Sequence, residues 1–272
     1  MKFTELSHTY IKQTAGKGQH MALFNRRKDS GEHMELTDIH CHILPGVDDG
    51  SHSENQSHRM LDLAWKNGIS TIIATPHYMP EGRHPSVDKL RHLVDELQEY
   101  ADQQFYDMTI YEGNEIYYHE EVPELLEAGK ILTLAGSSYV LVEFSPADDA
   151  RYIRNALADI QSAGYDPIIA HVERYMSLCK KPYDRIKELR DMGVLIQINA
   201  NSIEGKMGPM SKNVTRDLLK KQWVDFVATD AHSDHGRSHD MQECVKILQK
   251  KYPVEYVEDI LGGNARRLLL DT

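Results

Sequence analysis

Cysteine is scarce in this sequence, and long apolar runs are absent from it. The three cysteines among 272 residues include no CxxC pair, so a disulfide framework is excluded and a reducing cytoplasm is the expected compartment. No apolar run approaches the roughly 20 residues that a membrane-spanning helix needs. The first residues, MKFTELSHTYIKQTAGKGQH, lack the apolar core of a signal peptide. These absences predict a cytoplasmic protein that does not insert into a membrane.

Basic residues are outnumbered by acidic ones. The chain has 31 Lys and Arg against 42 Asp and Glu, a formal net charge of −11. This balance disfavours sequence-independent binding to nucleic acid, which needs a basic surface to displace counterions. An anionic substrate is not excluded, because divalent cations bound to acidic groups reverse the local field. The fifteen histidines are more informative, since histidine is the commonest metal ligand.

Seven apolar runs, each followed by a longer segment, divide the chain from residue 36 onward. The runs cover residues 36–40, 69–77, 108–115, 139–145, 167–173, 194–201 and 224–232. Most are nearly continuous in Ile, Val and Leu, which is typical of parallel strands buried on both faces. Seven strand–helix units in series favour a closed or nearly closed β/α barrel over an open sheet, although the open sheet stays possible. We therefore predict an α/β fold with a single barrel domain over residues 34–272.

The segments between the runs predict six amphipathic helices. They cover residues 53–68, 86–104, 150–164, 183–193, 211–222 and 241–252. Ser53 is a candidate N-cap of the first helix, and Gly68 is a candidate stop. Residues 1–33 show neither helical nor strand periodicity, and we expect them to form a loose N-terminal extension.

The apolar runs end in side chains that can bind a metal ion. The first run gives His40 and His42, which share one face of an extended chain because side chains alternate with period two. The further candidates, in chain order, are Asp49, His77, Glu115, Glu143, His171, Asp230 and His232. In β/α barrels the carboxyl ends of the strands form the active-site face, so we expect these nine side chains to converge.

Each candidate also has an ordinary structural explanation. A histidine at a strand end is often merely solvated, the Asp-Asp-Gly sequence is often a turn, and Glu115 and Glu143 could be salt-bridge partners. Their joint placement favours a metal centre, because burying so many ionisable groups is costly unless cations compensate them. Imidazoles and carboxylates without thiolate suit Mn²⁺, Fe or Zn²⁺, and nine ligands predict two or three ions. Cys41 is expected to pack in the core.

Several motifs resemble one known family. They are DIHCHILPGVDDG, ATPH, GNEIYY, VEFS, AHVERY, and ATDAH followed by GR. Together they resemble the polymerase and histidinol phosphatase (PHP) superfamily and, within it, the metal-dependent bacterial protein-tyrosine phosphatases of capsule and exopolysaccharide clusters. The resemblance extends from Leu36 to the C-terminal NARRLL sequence.

The resemblance implies a distorted seven-unit β/α barrel of PHP type with a three-metal centre, for which Mn²⁺ is the expected ion. The implied ligand sets are His40, His42, Glu115 and Asp230 for one ion; Glu115, Glu143 and His171 for a second; and Asp49, His77 and His232 for a third. Arg174 and Arg237 would face the substrate phosphate. The chain departs from the family pattern at Cys41, where serine is common, and at Pro76.

The implied activity is hydrolysis of phosphotyrosine in a protein. The implied partner is a membrane-linked bacterial tyrosine kinase with a tyrosine-rich tail, which regulates capsule or exopolysaccharide synthesis. A small-molecule phosphatase such as histidinol phosphatase, an exonuclease and a non-catalytic metal-binding protein remain alternatives.

A different catalytic centre is suggested by CKKPYDR, residues 179–185. Its C-x5-R spacing matches cysteine-dependent tyrosine phosphatases, in which a thiolate sits in a loop of backbone N–H donors. This stretch has no glycine for a tight anion-binding loop, and Pro182 removes one N–H donor. Chance spacing is therefore the favoured explanation.

Overall fold

Most of the chain folds into a curled parallel β-sheet flanked by helices. The computed structural model describes residues 34–80, 84–104 and 106–271, and residues 34–272 form one compact unit. The N-terminal extension predicted for residues 1–33 lies outside the described residues. Within the described residues, no helix combines the length and the apolar character that crossing a membrane requires.

The strands develop from the apolar runs. Their bounds are β1 Leu36–Cys41, β2 Ile69–Ala74, β3 His77–Tyr78, β4 Thr109–Glu112, β5 Glu115–Tyr117, β6 Tyr139–Glu143, β7 Asp166–Ile169, β8 Leu195–Asn199 and β9 Phe226–Ala228. All pairs are parallel, in the orders β1-β2-β4 and β3-β5-β6-β7-β8-β9. The predicted α/β class with a parallel sheet is therefore confirmed.

Two runs predicted as single strands are each split into two. The run 69–77 breaks at Thr75 and Pro76, between β2 and β3, and the run 108–115 breaks at Gly113 and Asn114, between β4 and β5. Proline cannot donate a ladder hydrogen bond. A Cβ atom at Gly113 would lie 3.0 Å from the Ile73 side chain, so the chain passes closely over β2 there. These breaks divide the sheet into its two hydrogen-bonded groups.

The curled sheet brings its first strand beside the end of its last. Cys41 forms a parallel bridge with Ala231, the His42 N–H donates to the Ala231 carbonyl at 2.8 Å, and the Asp230 N–H donates to the His40 carbonyl at 2.8 Å. This seam sets His40 and His42 directly against Asp230.

Alternate strand residues fall into two apolar clusters. Ile72 and Ala74 pack into the cluster that also holds Met60 and Leu61 of the first helix, whereas Ile73 belongs to the other cluster. The second cluster lies on the inner, concave face of the curled sheet. It contains residues of several strands, namely Ile39, Ile73, Leu141, Ile168 and Ala228. Burial on both faces explains why the strands are apolar along their whole length.

Helices cover the outer face of the sheet. Their bounds are α1 Glu54–Lys66, α2 Val87–Gln103, α3 Val122–Glu127, α4 Ala150–Ser162, α5 Asp184–Asp191, α6 Ala200–Glu204, α7 Pro209–Lys220, α8 Gln242–Lys251 and α9 Val254–Glu258. Ser53 accepts a hydrogen bond from the Gln56 N–H at 3.3 Å and caps α1 as the sequence predicts. The six predicted helices are present, whereas α3, α6 and α9 are short elements that the pattern analysis did not predict.

Candidate metal centre

The nine predicted ligand residues converge where the strands end. Glu115, at the start of β5 and 1% exposed, lies in the middle of the group. Its Oε1 atom is 3.2 Å from His40 Nε2 and 2.9 Å from His171 Nε2. Its Oε2 atom is 3.2 Å from His42 Nε2 and 3.0 Å from His77 Nδ1. One buried carboxylate therefore contacts four imidazoles.

Two further carboxylates extend the cluster toward solvent. Glu143, at the end of β6, lies 3.4 Å from His171 Nε2 and 3.5 Å from His77 Nδ1. Asp49 lies in the loop after β1, with its Oδ1 atom 3.5 Å from His77 Nε2 and 3.4 Å from His232 Nε2. The side chain of Asp49 is 67% exposed, so this side of the cluster is open.

Asp230 connects the cluster to the two predicted arginines. Its Oδ1 atom is 3.6 Å from Nε2 of both His40 and His42. Arg174 donates to Asp230 Oδ2 at 2.6 Å, and Arg237 donates to Asp230 Oδ1 at 2.7 Å. The sequence predicts that both arginines face a substrate phosphate, and in the structure both guanidinium groups bind this carboxylate.

Seven of the nine candidates, all except His171 and Asp230, fall into three sets in which the donor atoms lie within 4.8 Å of one another. The sets are His42, Asp49, His77 and His232; His40, His42 and Glu115; and His77, Glu115 and Glu143. They overlap the ligand sets implied by the resemblance, although His77 also approaches Glu115 and Glu143.

The orientation of the ring nitrogens fits cation binding. His77 Nδ1 is buried and lies 3.0 Å from Glu115 Oε2, yet it makes no hydrogen bond to any described residue. The Nε2 atoms of His40 and His42 face each other at 3.3 Å. Imidazole nitrogens and carboxylate oxygens that converge on a common point are the donors that Mn²⁺, Fe or Zn²⁺ use.

Polar residues outside the nine hold the imidazoles in place. Asp48 Oδ2 lies 2.7 Å from His42 Nδ1. Gln197 Oε1 lies 3.2 Å from His40 Nδ1 and accepts the His171 backbone N–H at 2.7 Å. With the other ring nitrogen occupied, Nε2 of His40 and His42 is left to face the centre, an arrangement that tunes metal ligands in many proteins.

Sequence analysis missed these supporting residues. Asp48 directly precedes the candidate Asp49. Gln197 is an amide within the apolar run of β8, and this unusual position was the one sign in the sequence that it has a role. Asn199, also in β8, donates to Asp230 Oδ2 at 2.7 Å. Their partners lie far away in sequence, so their roles follow only from the folded sheet.

The charges of the cluster are strongly coupled. Burial alone would raise the pKa of Asp48, but its hydrogen bond and attraction to His42 lower that pKa to about 2. Burial alone would lower the pKa of His171, but hydrogen bonds to Glu115 and Glu143 raise it to about 9. Burial and repulsion by His42 lower the pKa of His232 to about 4, so His232 is neutral at pH 7.

Unusual backbone conformations position two of the nine residues. His171 has φ 32° and Asp230 has φ 53°, values that non-glycine residues rarely adopt and that often mark functional sites. Gly50 approaches His42 so closely that a Cβ atom at Gly50 would lie 2.2 Å from the His42 carbonyl oxygen. The loop after β1 therefore requires glycine at this position.

A cleft opens beside the exposed side of the cluster. Its volume is about 410 Å³, and Asp49, His232 and Arg237 line it. Arg59 of α1 reaches the same cleft, where its Nε atom lies 2.5 Å from Asp234 Oδ2. The cleft thus joins candidate metal ligands to cationic side chains, a combination suited to an anionic ligand.

Cys179 lacks the properties of a catalytic nucleophile. Burial, followed by the negative charge of Glu173, raises the pKa of Cys179 to about 12, so it is a thiol at neutral pH. Its Sγ atom lies 3.4 Å from the Val172 carbonyl oxygen, and Arg185 pairs with Glu188 at 2.9 Å. This geometry agrees with chance spacing of Cys179 and Arg185.

Comparisons with known proteins identify the family of this chain. A family described as "Capsular polysaccharide synthesis, CpsB/CapC" matches residues 36–270. Tyrosine-protein phosphatase CpsB of Streptococcus pneumoniae is 33% identical over 241 residues, which cover 87% of this chain and 99% of that protein. Tyrosine-protein phosphatase YwqE of Bacillus subtilis (strain 168) is 33% identical over 234 residues, 86% of this chain and 91% of that protein.

Solved structures show the same architecture. A crystal structure described as "YwqE from Bacillus subtilis and CpsB from Streptococcus pneumoniae, unique metal-dependent tyrosine phosphatases" is 33% identical to this chain. The two structures match with a TM-score of 0.79, over 86% of this chain and 94% of the matched chain. Histidinol phosphate phosphatase of Lactococcus lactis matches with TM-score 0.56 at 15% identity, covering 80% and 95%, and shares the fold alone. The family resemblance seen in the motifs is confirmed: the chain belongs to the CpsB/CapC family of capsular polysaccharide synthesis.

Proposed function

We propose that this protein is a metal-dependent protein-tyrosine phosphatase that hydrolyses phosphotyrosine in a protein substrate. The supporting observation is the coincidence of two features in one chain. The chain is 33% identical, over most of its length, to named tyrosine-protein phosphatases. The nine candidate ligand side chains also form one cluster beside an open cleft. The enzyme class expected from the sequence is the one that family membership supports.

The proposed cofactor is Mn²⁺, with two or three ions per chain and Fe or Zn²⁺ as alternatives. The proposed ligands are His40, His42, Asp49, His77, Glu115, Glu143, His171, Asp230 and His232. When bound, such ions supply a water nucleophile at neutral pH and withdraw charge from the phosphoryl group. The donor set supports this choice, because it holds nitrogen and oxygen but no sulfur.

Arg174 and Arg237 are the proposed phosphate-binding residues. Each uses one Nη2 atom to bind Asp230, and a guanidinium group has further N–H donors in the same plane. Their side chains are 25% and 39% exposed, so these donors can reach phosphoryl oxygens. The two guanidinium groups offset the negative charge of the phosphoryl group as its bond to the leaving oxygen breaks.

The leaving group fits a site without an evident general acid. The phenol of a free tyrosine side chain has a pKa of about 10, so its oxygen leaves with less protonation than an alkoxide needs. The pKa of His232 is lowered to about 4 by burial and by the nearby His42. A neutral His232 suits the role of metal ligand better than that of proton donor.

The proposed partner is a bacterial tyrosine kinase with a tyrosine-rich tail, linked to capsule or exopolysaccharide synthesis. The family description, capsular polysaccharide synthesis, supports this link. The cytoplasm is the proposed compartment, because all three cysteines, Cys41, Cys179 and Cys244, are free thiols. The barrel of PHP type is proposed to have seven units, since counting each split strand once gives β1, β2/β3, β4/β5, β6, β7, β8 and β9.

A substrate panel tests this function. With Mn²⁺ present, we expect phosphate release from a phosphotyrosine peptide to be much faster than from histidinol phosphate, and single-stranded DNA to stay intact. Cys179→Ser should retain the activity, whereas Asp230→Asn should lose most of it. Far faster turnover of histidinol phosphate would overturn the proposed substrate, and loss of activity in Cys179→Ser with activity retained in Asp230→Asn would overturn the proposed centre.

A further inference from the structure

A second group of metal-binding side chains lies at the seam between β1 and the end of β9. Asp38, Cys41 and His239 each have 0% exposed surface. One donor atom from each lies within 4.8 Å of the others. None of the three belongs to the nine residues of the candidate centre. The group combines carboxylate, thiol and imidazole, whereas the centre holds no sulfur.

His239 is the unexplained member of this group. Both of its ring nitrogens are buried and make no hydrogen bond to any described residue, a costly arrangement for polar atoms. Its Nε2 atom lies 3.7 Å from Asp38 Oδ2, which is too long for a hydrogen bond. Two ligands of one tetrahedral zinc ion, bound at 2.0–2.3 Å, lie about 3.3–3.8 Å apart. The distance of 3.7 Å between His239 Nε2 and Asp38 Oδ2 is therefore close to the distance between two ligand atoms of one ion.

The other two members are well placed for the same ion. Asp38 is fixed by the backbone N–H of Thr229 at 3.0 Å and by the Thr229 hydroxyl. The Cys41 thiol has only a long contact of 3.8 Å with the Ile73 carbonyl. Sequence analysis assigned Cys41 to the core, and its side chain does lie there. Ligation by this thiol requires the bound cation to displace its proton.

We propose that Asp38, Cys41 and His239 supply the three protein ligands of a buried Zn²⁺ site, separate from the imidazole–carboxylate centre. Zinc is favoured because it accepts sulfur, nitrogen and oxygen donors together in tetrahedral sites. Binding replaces the thiol proton of Cys41, which passes to solvent.

This site would fasten the segment after β9 to the first strand. His239 follows Arg237 by two residues, and Arg237 lines the cleft and binds Asp230. The Arg237 carbonyl also accepts the backbone N–H groups of His232 at 2.8 Å and Ser233 at 3.0 Å. An ion that holds His239 against Asp38 would therefore limit the movement of the loop that carries Arg237.

Cobalt spectroscopy tests the site independently of activity. The full-length protein is stripped of metal and reloaded with Co²⁺, which gives an intense near-ultraviolet charge-transfer band when it binds a thiolate. We expect this band in the wild-type protein and its loss in Cys41→Ser. Cys179→Ser and Cys244→Ser are matched controls and should keep the band. The candidate centre cannot produce it, since its donors are nitrogen and oxygen.

Metal counting gives a second readout. After loading with Zn²⁺ and removal of free ions, Cys41→Ser and His239→Phe should each retain about one ion fewer per chain than the wild type. Absence of the near-ultraviolet band in the Co²⁺-loaded wild-type protein would overturn the proposal, whatever the variants do. Persistence of the band in Cys41→Ser would overturn it as well.

Discussion

Asp48 lies outside the set of nine candidate ligands and holds one member of that set, His42. It contacts His42 Nδ1 at 2.7 Å and accepts the His77 backbone N–H at 3.0 Å. Asp48→Asn is expected to weaken Mn²⁺ binding by about 10–100-fold, because the amide no longer holds His42 as a charged acceptor would. Titration calorimetry measures the affinity. Asp95→Asn, an exposed position on α2, is the control, and unchanged affinity in Asp48→Asn would contradict the role of Asp48.

The protonation of His171 predicts how metal binding depends on pH. Hydrogen bonds to Glu115 and Glu143 overcome the effect of burial and raise the pKa of His171 to about 9. Below that pH the ring carries a proton that a cation must displace, so the apparent Mn²⁺ affinity should rise about tenfold per pH unit from pH 6 to 8. Competition with a chelating dye measures it. An affinity that stays constant over this window would contradict the prediction.

At the residue scale, sequence patterns predicted the candidate ligands that the fold brings together, but not the residues that support them. His40, His42 and Asp230 stand at the ends of apolar runs, where parallel strands deliver side chains to one edge. Asp48 and Gln197 support histidines that they meet only through the tertiary fold. The contact of Arg174 with Asp230 likewise joins the segments that follow β7 and β9, on either side of β8, and could not be predicted from spacing.

The loop after β1 is the element that carries the most specific backbone requirement. A Cβ atom at Gly50 would lie 2.2 Å from the His42 carbonyl oxygen and 2.4 Å from His42 Cβ. Gly50→Ala should therefore displace His42, weaken Mn²⁺ binding by about tenfold or more, and reduce phosphatase activity in parallel. Calorimetry and phosphate release measure the two effects.

Gly46 in the same loop provides the matched comparison. It has φ +65° and no atom within 4 Å of its added Cβ. Gly46→Ala should cost about 1 kcal/mol of folding stability through backbone strain, while leaving Mn²⁺ affinity nearly unchanged. Equal losses of affinity in Gly46→Ala and Gly50→Ala would show that general loop damage, rather than contact with His42, is responsible.

At the element scale, periodicity predicted which segments become strands and helices but not where strands break. The runs 69–77 and 108–115 contain Thr75-Pro76 and Gly113-Asn114, residues that are common in turns, but a period-two pattern alone does not show that each run forms two strands. The reason is tertiary, because the chain at Gly113 passes over Ile73 at a distance that admits no side chain. Short helices such as α6 contain too few residues to show a helical period.

The acidity of the whole molecule bears on its stability. The chain carries a net charge of −11, and Glu115 and Asp230 are buried beside other carboxylates. Ions that bind only the folded protein stabilise it, by about 2.7 kcal/mol for each site at a concentration of 100 times Kd. Addition of Mn²⁺ to the chelated protein should therefore raise the Tm by about 5–10 °C for each ion bound, as followed by calorimetry. A Tm that does not respond to Mn²⁺ would contradict a cation-binding cluster.

The fold class followed from the serial order of apolar runs, because buried parallel strands leave a strong pattern in the sequence. The closeness of β1 to the end of β9 could not be predicted from the order of the runs, because it depends on the curl of the sheet. That curl brings residues of the first and last strand regions together, so that His40 and Asp230 lie within 3.6 Å of each other.

The most direct test of the account is a reconstitution of activity with counted ions. Chelated protein is titrated with Mn²⁺, and phosphate release from a phosphotyrosine peptide is recorded against the number of ions bound per chain. We predict no activity in the ion-free protein and recovery as the cluster around Glu115 fills. Full activity in protein shown by elemental analysis to hold no metal would contradict the central claim.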